Sequence, residues 1–431
     1  MRGLDAPSPD ATALLRGRVG TTTGVGGYTA SGMRWGFPGR PPPPGMTRIE
    51  DGALGSARVS GTRESVIREM TREAHRHDAI NLSQGIPDES ETPQRVKEAA
   101  VEGVAEASQY TITWGLPALR EAVAERYADW KGVHYDPTRE VTVTTGTSEA
   151  VVSTMLALCD PGDGVIYFEP TYESYIPATQ FAEGRPLPID ITDGLAIEER
   201  PLREAAAEAS MLVLNHPHNP TGTVFTPEEL ELVAEVAREE DLIVVTDEIY
   251  EHIVYADDYR SPVEVGDLAE RTVVCTGLSK TYSVTGWRVG FALAPEPLSA
   301  QLRKVHDYTT ICAPTPFQHA GVEALSMPER YYDDLAASYR ERRDLLCAGL
   351  REVGLDPVVP DGAYYVVARY PTDEADAAFA KRLVREAGVA TVPGSSFYTE
   401  AEDSDWVRFT FSRDEATIEE ALARLEAGRW W

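Results

Sequence analysis

The chain has 431 residues, 42% of them hydrophobic, so it is long enough for a large domain and a smaller one, each with its own core. Its 70 acidic against 40 basic residues give a formal net charge of -30, which argues against nucleic acid and anionic membranes as partners, because both need basic surface. No apolar run approaches the roughly 18 residues that cross a bilayer, and the N-terminus carries no apolar leader stretch, so the expectation is a cytoplasmic protein with no membrane partner. The cysteines Cys159, Cys275, Cys312 and Cys347 form no CxxC pair, which suits a reducing compartment, and the histidines show no metal-ligand spacing.

Residues 1–60 are rich in Gly, Thr, Ser and Pro and include the run Pro41 to Pro44. Up to Gly45 there are five Arg and two Asp, a positive stretch in an acidic chain. The composition reads as a disordered N-terminal extension, with Met46 as an alternative translation start. From Glu64 onward helical and strand patterns alternate, the signature of a parallel sheet covered by helices. The spacing predicts an amphipathic helix over Pro117 to Trp130 and a β-branched strand over Glu140 to Thr145. Gly146 then turns the chain into a helix from Ser148 to Leu158, which stops before Asp160-Pro161-Gly162. Strands follow at Val165 to Phe168, Met211 to Asn215, Leu242 to Asp247, Thr272 to Thr276 and Val289 to Ala294. Thr226, Pro227 and Glu229 open a helix as a capping box with proline at its first position. The last hundred residues read as a long helix near Glu329 to Val353, strands at Ala363 to Arg369 and Val407 to Phe411, and helices between and after. The expected organisation is a large α/β domain over 95–325, its mainly parallel sheet covered by helices, and a smaller α+β domain built from 61–94 and 326–431.

In open α/β sheets ligands sit beyond the carboxyl ends of the strands, so the loops that follow strands carry the chemistry. Here the strand ending at Thr246 delivers Asp247, with Tyr250 three residues on. The strand Thr272 to Thr276 delivers Gly277-Leu278-Ser279-Lys280, and Met211 to Leu214 delivers Asn215-His216-Pro217-His218-Asn219-Pro220-Thr221-Gly222. Alone, an Asp after a strand is more often a helix cap than a catalyst. Lys280 stands out in a chain with five lysines among its 40 basic residues, which leaves 35 arginines.

Taken together and in order, these loops resemble those of class I aminotransferases, enzymes of pyridoxal 5'-phosphate (PLP) fold type I. The resemblance runs from about Glu64 to the C-terminus. It rests on Gln84-Gly85-Ile86-Pro87-Asp88, Gln109-Tyr110, Thr145-Gly146-Thr147-Ser148-Glu149-Ala150, Asn215 to Gly222, Thr246-Asp247-Glu248-Ile249-Tyr250, and Ser279-Lys280-Thr281-Tyr282-Ser283-Val284-Thr285-Gly286-Trp287-Arg288-Val289-Gly290.

The resemblance implies that Lys280 binds the aldehyde of PLP and later serves as general base. It implies that Asp247 holds the proton on the pyridine nitrogen, and that Tyr250 and Asn219 hydrogen-bond the ring's phenolic oxygen. Gly146, Thr147 and Ser148 at a helix start, with Ser279 and Arg288, match the phosphate contacts, and Tyr110 matches a tyrosine that a neighbouring subunit contributes, hence a homodimer. Tyr172 stands where relatives stack an aromatic ring on the pyridine. Arg408 matches the arginine for the substrate α-carboxylate, with Arg413 as runner-up, and Gly85 matches a glycine whose backbone approaches the substrate. The implied reaction moves an amino group from an L-amino acid (aspartate, aromatic or other neutral) to a 2-oxo acid such as 2-oxoglutarate by ping-pong kinetics. The alternative is a carbon-sulfur β-lyase. A PLP-sensing transcription regulator fits poorly, because residues 1–60 are too short for a winged helix and the charge is wrong for DNA. No second basic residue for a distal carboxylate is identifiable, and Trp114 with Tyr110 can line an apolar side-chain pocket. The acidic, arginine-rich, lysine-poor composition also resembles that of haloarchaeal proteins, and predicts loss of stability in low salt.

Overall fold

The structure is a computed structural model and describes residues 46–48, 54–62, 64–400 and 403–428. Two compact units divide it, Met1–Leu54 and Gly55–Trp431, and everything below concerns the second. The expected N-terminal extension lies largely outside the described residues.

A seven-stranded sheet runs in the order Val141–Thr144, Gly290–Leu293, Thr272–Gly277, Ile243–Asp247, Met211–Asn215, Gly164–Glu169, Arg185–Asp190. Gly290–Leu293 pairs antiparallel with both neighbours, and every other pairing is parallel. The strands read as continuous apolar runs because both faces are covered. Alternation sorts their side chains: Leu212, Leu214 and Val244 pack beneath the helix Pro227–Glu239, while Met211, Val213 and Val245 pack beneath Thr147–Leu158. The capping box forms as expected, with the Thr226 side chain and Glu229 exchanging bonds at 3.2 and 2.7 Å.

One strand of this sheet escaped the sequence pattern, as did the two-residue strands Ile80–Asn81, Asp356–Pro357, Val389–Ala390 and Val392–Pro393 elsewhere. Arg185–Asp190 is the sheet's edge, half exposed and carrying Pro186 and Pro188, so it lacks both the apolar run and the donors of an inner strand. The C-terminal part forms a four-stranded antiparallel sheet ordered Asp356–Pro357, Tyr365–Arg369, Trp406–Thr410, Val392–Pro393. Buried side chains of the helices Glu329–Glu352 and Glu415–Glu426 share a core with it. Arg408 sits mid-strand there, opposite Val367 and Val392.

Candidate active site

Three neighbouring parallel strands end side by side on the groups of interest. Asn215 pairs in register with Asp247, and Asp247 with Cys275, so the loops bearing Asn219, Asp247 and Lys280 leave the sheet at one level. Lys280 Nζ donates to Gly85 O at 3.1 Å and lies 5.6 and 6.0 Å from the ring centroids of Tyr364 and Tyr250. Burial brings its ammonium down to about 8, against the pull of Asp247 and with help from the charges of Arg288 and Arg408. An amine so shifted is available unprotonated near neutral pH.

Asp247 is 6% exposed. Its Oδ2 accepts from Tyr175 Oη at 2.7 Å and its Oδ1 from the Ile249 N–H at 3.2 Å. Burial nevertheless pushes the carboxyl up to about 6, and among the described residues no ion pair reaches it. Such a carboxyl gains from a cation placed opposite.

Arg408 is 1% exposed. Nη2 donates to Ser83 O at 2.7 Å and Nη1 to Asn219 Oδ1 at 2.8 Å, but Nε is buried with no partner. The guanidinium lies 4.1 Å from the Tyr365 ring centroid and 4.9 Å from that of Phe397. A buried guanidinium with an idle donor is costly unless a ligand anion completes it. Because Arg408 occupies Asn219 Oδ1, the amide NH2 of Asn219 is left to donate elsewhere; its backbone N–H is held by Asn215 Oδ1 at 2.6 Å. Arg413 turns to Asn81 O at 3.4 Å and Asp88 at 3.9 Å, apart from this constellation.

The helix Thr147–Leu158 opens on Gly146, whose φ of +76° favours glycine and whose missing side chain admits the Arg288 guanidinium. Thr147 Oγ1 donates to Thr276 O at 3.0 Å, fixing the helix start to the strand that delivers Lys280. First-turn amides have no partner inside their own helix and, with the helix dipole, favour an anion. Arg288, itself at φ +55°, donates from Nη1 to Thr285 O at 3.0 Å. Ser279 is buried and Ser148 is exposed. Replacing Gly146 by alanine is expected to displace Arg288 and strain the turn, costing about 1–2 kcal/mol of stability and roughly tenfold in phosphate or PLP affinity. Thermal melts and a binding titration check this, and an alanine variant with undiminished affinity would remove Gly146 from the cup.

The remaining expected residues are placed as follows. Tyr250 is buried, its hydroxyl 3.0 Å from that of Tyr365. Tyr172 stands edge-on to Tyr175 at 5.6 Å and is half-buried. Gly85 is packed against Tyr364 and Tyr365 so closely that any side chain would collide, and its carbonyl also accepts from Tyr364 Oη at 2.8 Å. Tyr110 is 77% exposed, away from this cluster. Sequence reasoning missed Tyr175, Tyr364 and Tyr365, for which no local signal exists. It also passed over Glu149, though this residue sits inside a quoted motif. Glu149 holds the Thr145 N–H and pairs with His306 Nδ1 at 2.6 Å, while His306 Nε2 lies 2.7 Å from Thr113 O. Burial opposes the charge on His306, but Glu149 carries its pKa above the ordinary value.

A lysine with a depressed pKa, a buried carboxyl awaiting a cation, an anion cup at a helix start and an arginine with an idle donor fit PLP group by group. With the mainly parallel sheet they define a fold type I PLP-dependent transferase. The sequence model of the family "Aminotransferase class I and II" matches residues 77–425. A relative from Mycobacterium tuberculosis, named as a probable N-succinyldiaminopimelate aminotransferase, is 36% identical, covering 84% of this chain and 95% of its own. The methionine aminotransferase of Escherichia coli K12 is 35% identical with the same coverage. The solved structure of N-succinyldiaminopimelate aminotransferase from Mycobacterium tuberculosis superposes with a TM-score of 0.83 at 35% identity, covering 86% of this chain and 99% of that one. The chain belongs to the class I and II aminotransferases and is a PLP-dependent enzyme.

Proposed function

We propose that the enzyme moves the amino group of an L-amino acid with an uncharged side chain, aromatic ones included, to a 2-oxo acid such as 2-oxoglutarate. The observation that carries this reading is Arg408, buried beside Asn219 with Nε unpartnered, its charge felt at Lys280. A guanidinium so placed can take an α-carboxylate while Lys280 reaches the α-carbon. Of the two arginines whose charge reaches Lys280, Arg288 belongs with the phosphate cup and Arg408 with the α-carboxylate. Among the described residues of one subunit neither is left over for a second carboxylate, which supports a donor with an uncharged side chain.

When bound, PLP supplies an aldehyde that captures amines and a ring that accepts electrons from the α-carbon. The Gly146 N–H is taken by Thr144 O at 2.8 Å, so the first-turn amides of Thr147 and Ser148, with Ser279 and the Arg288 guanidinium that Gly146 admits, would hold its phosphate. Asp247 would keep the proton on the ring nitrogen. Tyr250 and the NH2 of Asn219 would donate to the ring's hydroxyl oxygen, and Tyr172 would offer an aromatic face to the ring. Lys280, its amine brought down to about 8, would act as the general base toward the substrate's α-carbon. Gly85 lines the substrate side with backbone alone. We also read the enzyme as a homodimer, supported by the exposed Tyr110, Tyr308, Ile112 and Ile311, with Tyr110 reaching the neighbour's phosphate. The acidic surface is read as an adaptation to salt, to be checked by melting in low and molar salt.

The test is a panel of amino acids added singly to the PLP-loaded enzyme, followed by 2-oxo acids. Conversion of bound PLP to its amino form by neutral or aromatic donors supports the reading, and conversion by aspartate alone overturns the substrate class. Keto acid and ammonia released without an acceptor identify a lyase instead.

Asp247→Asn has an expected effect on the PLP-free protein that needs no turnover. The folded carboxyl binds its proton more tightly than the unfolded one, about 6 against 3.8. Its stabilising contribution is therefore complete below the unfolded value and is lost as pH rises from about 4 to about 6. Above that the ionised group costs at most about 3 kcal/mol, from roughly two pH units at 1.36 kcal/mol each. The variant should melt higher than the parent near pH 7 and equal to it near pH 4, while binding PLP more weakly. Equal melting at both pH values would show that the burial cost is not borne by Asp247.

A further inference from the structure

Behind the Asp247 turn lies a second charged cluster that touches neither substrate nor cofactor in the assignment above. Lys131 closes the helix Pro117–Lys131, and its ammonium sits 2.7 Å from both Glu248 Oε2 and Glu251 Oε2. The three side chains are 1%, 0% and 8% exposed. Lys131 Nζ also lies 4.6 Å from the Tyr127 ring centroid and 4.7 Å from that of Trp130. Every carboxylate oxygen is engaged. Glu248 accepts from Thr246 Oγ1 at 2.7 Å and Ser261 Oγ at 2.6 Å, and Glu251 from Thr276 Oγ1 at 2.7 Å and Tyr127 Oη at 3.1 Å.

The placement along the chain matters more than the pair itself. Glu248 follows Asp247 directly, and Glu251 follows Tyr250 directly. Thr276 lies on the strand whose end delivers Ser279 and Lys280, and its hydroxyl also reaches Glu248 O at 3.4 Å. One ammonium thus ties the turn carrying Asp247 and Tyr250 to the strand delivering Lys280, and both to a helix from another layer. Two carboxylates sharing one cation away from water cannot stay ionised in place if that cation is removed. The lone ammonium is stabilised in return, since Glu248 and Glu251 hold its pKa above the ordinary value despite burial.

We propose that Lys131, acting through Glu248 and Glu251, is a positioning residue that sets Asp247, Tyr250 and Lys280 at the spacing the cofactor needs. The inference rests on the PLP site but on no choice of substrate, so it is tested without any amino acid. Lys131→Met, Lys131→Arg and Thr276→Val are loaded with PLP. Three quantities are then read: PLP affinity by equilibrium dialysis, the midpoint of the pH titration of the bound cofactor's visible band, and the melting temperature of the PLP-free protein.

The expected result for Lys131→Met is a midpoint moved by about one pH unit and PLP affinity lowered roughly tenfold, with partial recovery in Lys131→Arg because the charge is restored. Thr276→Val keeps the ion pair, removes the hydroxyl's bonds to Glu251 Oε1 and Glu248 O that join this turn to the Lys280 strand, and differs little in volume, so it decides the matter if Lys131→Met does not fold. It should move the midpoint while lowering the melting temperature of the PLP-free protein by only a few degrees, the cost of one buried carboxylate oxygen left without its donor. A lower melting temperature with unmoved midpoint and affinity in both variants would overturn the proposal and leave Lys131 a structural anchor. Failure of the amino-acid panel would not affect these readouts.

Discussion

Lys280→Ala is expected to lower kcat by at least about 10,000-fold, the upper range for losing a positioned general base. Two properties of the site set that size. The amine is brought to about 8 mainly by burial, so about a tenth is unprotonated at pH 7, far more than for an ordinary lysine, and among the described residues no other lysine is placed beside Gly85 and Tyr250 to replace it. Water admitted into the space would be a far weaker base than the amine. The same variant should still bind PLP, because the Gly146 cup, Arg288 and Asp247 are untouched, but should release it on dialysis once the covalent attachment is gone. Single-turnover kinetics with an amino acid donor, together with PLP retention, check both halves. Activity within a hundredfold of the parent would mean that another group carries the proton.

The second large effect is expected at Arg408. Its guanidinium is buried and holds Ser83 O and Asn219 Oδ1 with two nitrogens, leaving Nε for a ligand. Arg408→Lys keeps the charge, but a single ammonium cannot satisfy Ser83, Asn219 and a carboxylate in the same plane. Losing a buried, charge-assisted partner costs about 2–5 kcal/mol, hence roughly 30- to 5,000-fold in kcat/KM for the amino acid. Because Arg408 also orients Asn219, kcat should fall along with the rise in KM. PLP affinity should change little, since Arg408 makes no contact with the phosphate cup. A variant that lost PLP affinity and kept its KM would place Arg408 in the cofactor's shell.

Much of this site was legible in the sequence because the chemistry lies in short segments. Asp247 and Tyr250 are three residues apart, Ser279 and Lys280 adjacent, and Gly146 to Ser148 contiguous, so strand-turn signals placed them at strand ends and the resemblance to aminotransferase motifs singled them out. Helices announced by caps and periodicity came out close to expectation: Pro117–Lys131 and Thr147–Leu158 each within a residue at either end, and Pro227–Glu239 at its capped start. The edge strand Arg185–Asp190 did not, because half-exposed residues and two prolines imitate a loop.

What the sequence alone determined is the set of strand ends bearing a lysine, a carboxylate and a glycine turn into a helix, positions that local backbone geometry dictates and whose chemistry the motif resemblance implies. Tertiary structure alone decided who supports whom. Tyr175 comes from a neighbouring helix to hold Asp247, Tyr365 from the C-terminal sheet to hold Tyr250, and Lys131 from 117 residues away to hold Glu248. Local propensity cannot register such contacts, because each partner's own segment would fold the same way without the other. The pKa values of Lys280 and Asp247 belong to the same class, since burial sets them and burial exists only once the layers have packed.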